Sequence, residues 1–83
     1  MGKKEKLIAR LKSKPRDFTF EEADSLLTAL GMKKSNKGRT SGSRVEYVLG
    51  GIKIQLHKPH PRKELPIYRI VLLIDELSEK GLI

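Results

Sequence analysis

Apolar residues recur at helical spacing in three stretches of the chain. Leu7, Ile8 and Leu11 share one face of a first predicted helix from Lys3 to Lys14, which Pro15 ends. A second helix is predicted from Thr19, which has capping-box spacing to Glu22, to a C-terminal cap at Gly31. The third helix is predicted from about Pro66 to Lys80. The apolar positions of the third helix are spaced for burial on one face and are Ile67, Ile70, Val71, Ile74 and Leu77.

Between the second and third helices the periodicity changes to strict alternation. Strands are predicted over Arg44 to Leu49 and Ile52 to Leu56, with Gly50 and Gly51 as the two-residue turn of a hairpin. A short edge strand is predicted over Met32 to Lys34. The alternation predicts that six side chains point towards the core, namely Val45, Tyr47, Leu49, Ile52, Ile54 and Leu56.

The element order α-α-β-β-β-α predicts an α+β fold, a three-stranded antiparallel sheet with helices packed on one face. A chain of 83 residues suits a single domain over residues 1–83, with residues 1–15 as a basic helical extension and 19–83 as the core.

The net charge of the chain narrows the classes of partner that the protein is expected to bind. The chain carries 18 Lys and Arg against 10 Asp and Glu, a net charge of +8, which favours a polyanionic partner. Seven basic residues lie within the first 16 positions, whereas the acidic residues at 17–24 and 75–79 are interpreted as solvated helix faces. There is no cysteine, and no stretch is apolar and long enough to cross a bilayer, so we expect a cytoplasmic protein without membrane contact. A chain of this size has little room for a large cavity, so no small-molecule cofactor is expected.

The segment from Lys33 to Gly42 combines cations, small hydroxyls and two glycines. Its backbone N–H groups and side chains are suited to phosphate oxygens, while a solvated loop without a ligand is the equally weighted alternative. On the outer face of the hairpin, Lys53, Gln55 and His57 lie beside Arg44 and Glu46. This polar surface is predicted to contact ribose and phosphate, although an ordinary solvated sheet face has the same pattern.

His57 and His60 are the only histidines, and histidine is suited to moving a proton to or from a ribose 2′-hydroxyl. Histidines near a strand end are more often simply exposed. Their spacing also suits metal ligation, but prolines flank His60 and no third ligand is clustered nearby, so no metal site is predicted.

From Thr19 to Ile83 the chain resembles the HicA toxins, ribonucleases of messenger RNA with a fold similar to double-stranded RNA-binding domains. The resemblance rests on the order and spacing of Leu30-Gly31-Met32, Gly42-Ser43, the hairpin and the final Lys80-Gly81-Leu82-Ile83. Its most specific part is His60-Pro61-Arg62-Lys63-Glu64-Leu65. It implies messenger RNA and a HicB-type antitoxin as partners.

One position departs from the family, in which Gly-Ser of the first hairpin strand precedes a catalytic histidine. Here Arg44 follows Ser43, and arginine stays protonated, so it can bind phosphate but not accept a proton. We therefore predict His57 or His60 as the proton-transfer residue, with Arg44 on the phosphate. The residues predicted to bind RNA are Lys33, Lys34, Lys37, Arg39, Ser43, Arg44, Lys53, Gln55, Lys58, Arg62 and Lys63.

Two other functions remain open. The substitution at Arg44 is compatible with a non-catalytic RNA-binding module of the same fold. A basic surface that serves only an acidic protein partner is the third possibility.

Overall fold

The computed structural model describes residues 2–35, 44–59 and 63–83. The elements are α1 (Lys3–Lys12), α2 (Phe20–Ala29), β1 (Lys33–Ser35), β2 (Arg44–Leu49), β3 (Ile52–His57) and α3 (Ile67–Glu79). The strands form one antiparallel sheet in the order β1-β2-β3. The predicted α+β fold and its element order are confirmed. The likeness to double-stranded RNA-binding domains stays a prediction.

The N-terminus of α2 forms the capping box that its sequence predicts. The Thr19 hydroxyl accepts from the backbone N–H of Glu22 at 3.1 Å, and the Glu22 carboxylate accepts from the backbone N–H of Thr19 at 3.0 Å. Beside it, Phe20 N donates to Lys63 O at 2.9 Å and Leu65 N donates to Phe18 O at 2.8 Å. The segment that leads into α3 is thereby tied to the start of α2.

The C-terminus of α2 explains why β1 begins one residue later than predicted. Gly31 has a φ of +98°, which a residue without Cβ adopts readily, and Met32 N donates back to Leu27 O at 3.0 Å. Met32 is thus part of the helix cap, and its side chain is buried. The strand starts at Lys33 as a result.

One apolar core lies between the inner face of the sheet and the three helices. The inward alternation of the hairpin is confirmed: Tyr47, Ile54 and Leu56 are buried, with Val45, Leu49 and Ile52 packed against them. Leu7 and Leu11 of α1 belong to the same core, so the basic N-terminal helix packs with the rest of the chain.

The buried stripe of α3 differs from the predicted one at its start and in its middle, where Leu73, which was not predicted, is buried and Val71 is only partly buried. Ile70, Leu73 and Leu77 are fully buried, whereas Ile67 is 39 % exposed, so its predicted burial is wrong. Ile67 is the first residue of α3, and helical side chains lean towards the N-terminus, so its side chain extends beyond the start of the helix. No helix in the described part of the chain is long and apolar enough to cross a membrane.

Candidate nucleic-acid interface

The strand register arranges polar residues in rows across the face of the sheet that turns away from the helices, here called the outer face. Lys33 of β1 and Lys53 of β3 both pair with Val48, so two lysines flank the middle strand. Their Cα atoms are about two strand spacings, roughly 10 Å, apart. Both side chains are exposed, so this end of the outer face carries two positive charges directed at solvent.

The next row contains one carboxylate and no cation. Ser35, Glu46 and Gln55 are cross-strand neighbours, and Gln55 Nε2 donates to Glu46 Oε2 at 3.3 Å. The carboxylate is therefore held in the centre of the face by the neighbouring amide.

Arg44 and His57 form the last row. They are register partners on β2 and β3, and both are exposed. Leu49 and Ile52 close the two-residue turn as a hydrogen-bonded pair. Hydrogen-bonded and non-hydrogen-bonded pairs alternate along the hairpin, so Arg44 and His57 form a non-hydrogen-bonded pair. Side chains of such pairs lie closest across an antiparallel ladder. The structure thus brings together two of the three residues predicted to perform chemistry.

Lys34 occupies a different environment from the other predicted RNA contacts of the sheet. It pairs with Tyr47, which places it on the helix side, and its Nζ lies 3.0 Å from Asp24 Oδ1. Its charge is balanced there by a carboxylate. The structure does not bring Lys34 together with Lys33, Lys53 and Arg44.

The same carboxylate of Asp24 accepts the hydroxyl hydrogen of buried Tyr47 at 2.6 Å. Partial burial acts to raise the pKa of Asp24, but the Tyr47 hydroxyl and the Lys34 ammonium outweigh it, and the pKa is lowered. Burial and the neighbouring carboxylate raise the pKa of Tyr47 strongly. This three-residue cluster keeps Asp24 ionised and Tyr47 neutral near neutral pH.

The sequence suggested that the acidic residues at 17–24 are simply solvated, but the structure pairs Asp17 and Glu22 with a cation. Arg10 of α1 donates to Glu22 at 2.5 Å and to Asp17 Oδ1 at 3.0 Å. The hydrogen bond with Arg10 is the main cause that lowers the pKa of Glu22. One cation of the basic N-terminal segment is thereby neutralised within the fold, because α1 packs beside α2 and brings these groups together.

Between β3 and α3 lies an open groove of about 530 Å³. It adjoins the Arg44–His57 row, because His57 lines it together with Gln55 of the same strand. The remaining lining residues are Pro59, Leu65, Pro66, Tyr68, Arg69 and Glu76. We call this feature the β3–α3 groove.

Two groove residues, Tyr68 and Arg69, were missed by the sequence reasoning. Tyr68 is 69 % exposed, although it is aromatic. The Arg69 guanidinium donates through Nη2 to the backbone carbonyl of Gln55, and the same nitrogen is 4.0 Å from Glu76 Oε1. Its Nε is enclosed without a hydrogen-bond partner within the described residues. One feature of the sequence could have indicated Tyr68: it is an aromatic residue at a position off the apolar stripe of α3.

The other predicted contacts are distributed around this region or lie outside the described residues. Lys58, directly after β3, and Lys63, before α3, are both exposed. The predicted residues that fall outside the described ranges are Lys37, Arg39, Ser43, His60 and Arg62. Among residues 2–35, 44–59 and 63–83 no group of three or more metal-ligating side chains occurs.

Comparison of the chain with protein-family models, curated proteins and solved structures gives no significant match. The function is therefore inferred from the residues and their geometry.

Proposed function

We propose that this protein is a cytoplasmic RNA-binding protein of the HicA toxin type, which binds and cleaves messenger RNA and is neutralised by a HicB-type antitoxin. The observation that carries the proposal is the pairing of Arg44 with His57 on the exposed outer face. A fixed cation beside an imidazole is the minimal set for holding a phosphodiester and moving the proton of the attacking hydroxyl.

Binding is attributed to exposed cations along the outer face and its margin. Lys33, Lys53 and Arg44 have side chains that no carboxylate of the described residues neutralises, and Lys58 follows at the end of β3. Contacts of this kind are made to the phosphate backbone and release counterions, so affinity falls with salt. They give little sequence preference by themselves.

Cleavage is attributed to attack by the ribose 2′-oxygen on the adjacent phosphorus. His57 accepts the 2′-hydroxyl proton as the new P–O2′ bond forms and the P–O5′ bond breaks. The departing O5′ receives a proton from a second donor, His60 or water. Arg44 donates to the non-bridging oxygens, where negative charge accumulates. The products are a 2′,3′-cyclic phosphate and a 5′-hydroxyl.

A non-catalytic RNA-binding module is the second candidate. The observation in its favour is Arg44 itself, which stands where the family has its histidine. The binding surface would be the same, and only the chemistry would be lost.

The test uses the partner-free full chain with a messenger RNA pool in buffer that contains a chelator. The variant carries Arg44→Ala, His57→Ala and His60→Ala, and Lys34→Ala serves as a matched control because Lys34 is paired with Asp24. We expect cyclic-phosphate ends with the parent and the control but not with the triple variant. Intact RNA with a salt-dependent mobility shift would overturn cleavage and favour the module. No shift at physiological salt would overturn both.

A further inference from the structure

We infer that the β3–α3 groove is a subsite for one unpaired nucleobase of RNA, next to the phosphate position at Arg44 and His57, so that the substrate is single-stranded there. The inference rests on the proposed function, because His57 is shared by the groove and the Arg44–His57 row. A nucleotide whose phosphate lies at that row can direct its base into the adjoining groove.

The exposed aromatic ring of Tyr68 is suited to stacking on a base. A tyrosine that is 69 % exposed at the margin of a concave surface has most of its area available to a ligand. Aromatic side chains in such positions stack on unpaired bases, since every base has a π face. Pro59 and Pro66 line the same groove and supply rigid apolar surface for a flat ligand.

The polar groups of the groove also suit a base. Within the described residues Arg69 donates through Nη2 alone, and its Nε is enclosed, so the donors left for a ligand are those of Nη1. Glu76 offers carboxylate oxygens close to that guanidinium. A base edge has both acceptors and donors and matches this pair. A phosphate matches it poorly, because Glu76 would repel the anion.

A rival occupant is an extended peptide that adds a strand to the sheet. In the order β1-β2-β3, β3 is an edge strand, and its side towards the groove pairs with no strand within residues 2–35, 44–59 and 63–83. Regular strand addition needs the outward carbonyl of Gln55 as an acceptor. Arg69 already donates to this carbonyl. The edge is therefore partly blocked to a peptide, while the groove beside it stays open to a base.

The test measures binding of a short single-stranded 2′-O-methyl RNA, which cannot be cleaved, with 2-aminopurine placed at each position in turn. We expect fluorescence quenching at one position with the full chain, and weaker binding by the fully paired duplex. Tyr68→Ala should abolish the quenching and weaken binding roughly 5- to 150-fold, the range for loss of one stacked base. Tyr68→Phe, which keeps the ring, should restore both.

Leu72→Ala is the matched control, since Leu72 is also an exposed apolar residue of α3, at 46 %, but does not line the groove. It should leave binding and quenching unchanged. Binding that persists unaltered in Tyr68→Ala, or equal affinity for duplex and single strand, would overturn the subsite and leave the proposed function standing. An absence of any RNA binding by the parent chain would overturn both.

Discussion

The hydroxyl group of Tyr47 on β2 donates to Asp24 Oδ1 on α2 over 2.6 Å, and this bond joins the central strand to a helix 23 positions earlier in the chain. Tyr47 is fully buried, and Asp24 also holds the ammonium of Lys34. The bond orients the largest buried side chain and fixes α2 relative to the sheet.

Removal of that hydroxyl should therefore destabilise the fold. Tyr47→Phe leaves the ring in the core but takes one donor from a partly buried carboxylate, and a hydrogen bond to a charged group contributes about 1.5–3 kcal/mol. We expect a loss near the lower end of this range, because Lys34 still satisfies Asp24. Urea unfolding at pH 7 checks this. An unchanged midpoint would show that the bond contributes nothing net.

The same pair predicts sensitivity to alkali. The folded state raises the pKa of Tyr47 above its ordinary value of 10.0. The stabilising contribution is therefore complete below about pH 10 and is lost as the pH rises towards the folded pKa. Relative to Tyr47→Phe, the parent should lose its stability advantage above pH 10. Thermal melts of the parent and Tyr47→Phe at pH 8 and pH 11 measure this difference. The titration of the lysines cancels, because both proteins contain the same lysines.

The packing of α1 predicts that the N-terminal helix is needed for stability. Leu11 is fully buried in the common core, so Leu11→Ala should cost about 2–5 kcal/mol. Leu72→Ala, at an exposed position, should cost less than about 0.5 kcal/mol. Equilibrium unfolding of both variants tests this. Equal, small losses would mean that α1 is a detachable extension.

The end of α1 contains a position that can be improved. Lys14 has a φ of 53°, in the left-handed region that penalises residues with a Cβ. Lys14→Gly should raise stability by about 1 kcal/mol, whereas Ala9→Gly inside α1 should lower it by about 1 kcal/mol. Thermal unfolding of the two variants should move in opposite directions. A downward shift in both would contradict the assignment of strain to Lys14.

Neighbouring lysines on β1 should differ in their effect on RNA binding. Lys33 lies on the outer face, whereas Lys34 lies on the helix side beside Asp24. Lys33→Ala should reduce the slope of log K against log salt by about one, as expected for one lost phosphate contact. Lys34→Ala should leave the slope unchanged. The reverse result would place the RNA on the helix side of the sheet.

Much of the fold was predictable because local patterns encode it. The capping box at Thr19 and Glu22, the glycine after α2 and the alternation around Gly50-Gly51 each specify a structure through contacts within a few residues. The inward position of Tyr47 followed from the same alternation. The burial of Ile67 was mispredicted because periodicity gives the face of a helix but not how much of that face other elements cover.

The candidate site was predictable only in part. Arg44 and His57 are 13 positions apart, and the sequence suggested a hairpin that would bring them near each other, which the register confirms. The sequence did not show that Lys33 and Lys34 lie in different environments, because the carboxylate that pairs with Lys34 belongs to another element. Nor did it indicate the β3–α3 groove, whose shape depends on how α3 packs beside β3.

The sequence by itself determined the element order, the helix caps, the hairpin turn and the excess of positive charge, since each depends on short-range geometry or on composition. Only the tertiary structure decided which charges are neutralised, which aromatic ring is exposed and where a groove forms. Packing between elements pairs Arg10 with Glu22 and Lys34 with Asp24. It also leaves Tyr68 exposed in the groove that His57 lines. Such contacts depend on how whole helices and strands lie against one another, and no local pattern of residues specifies that.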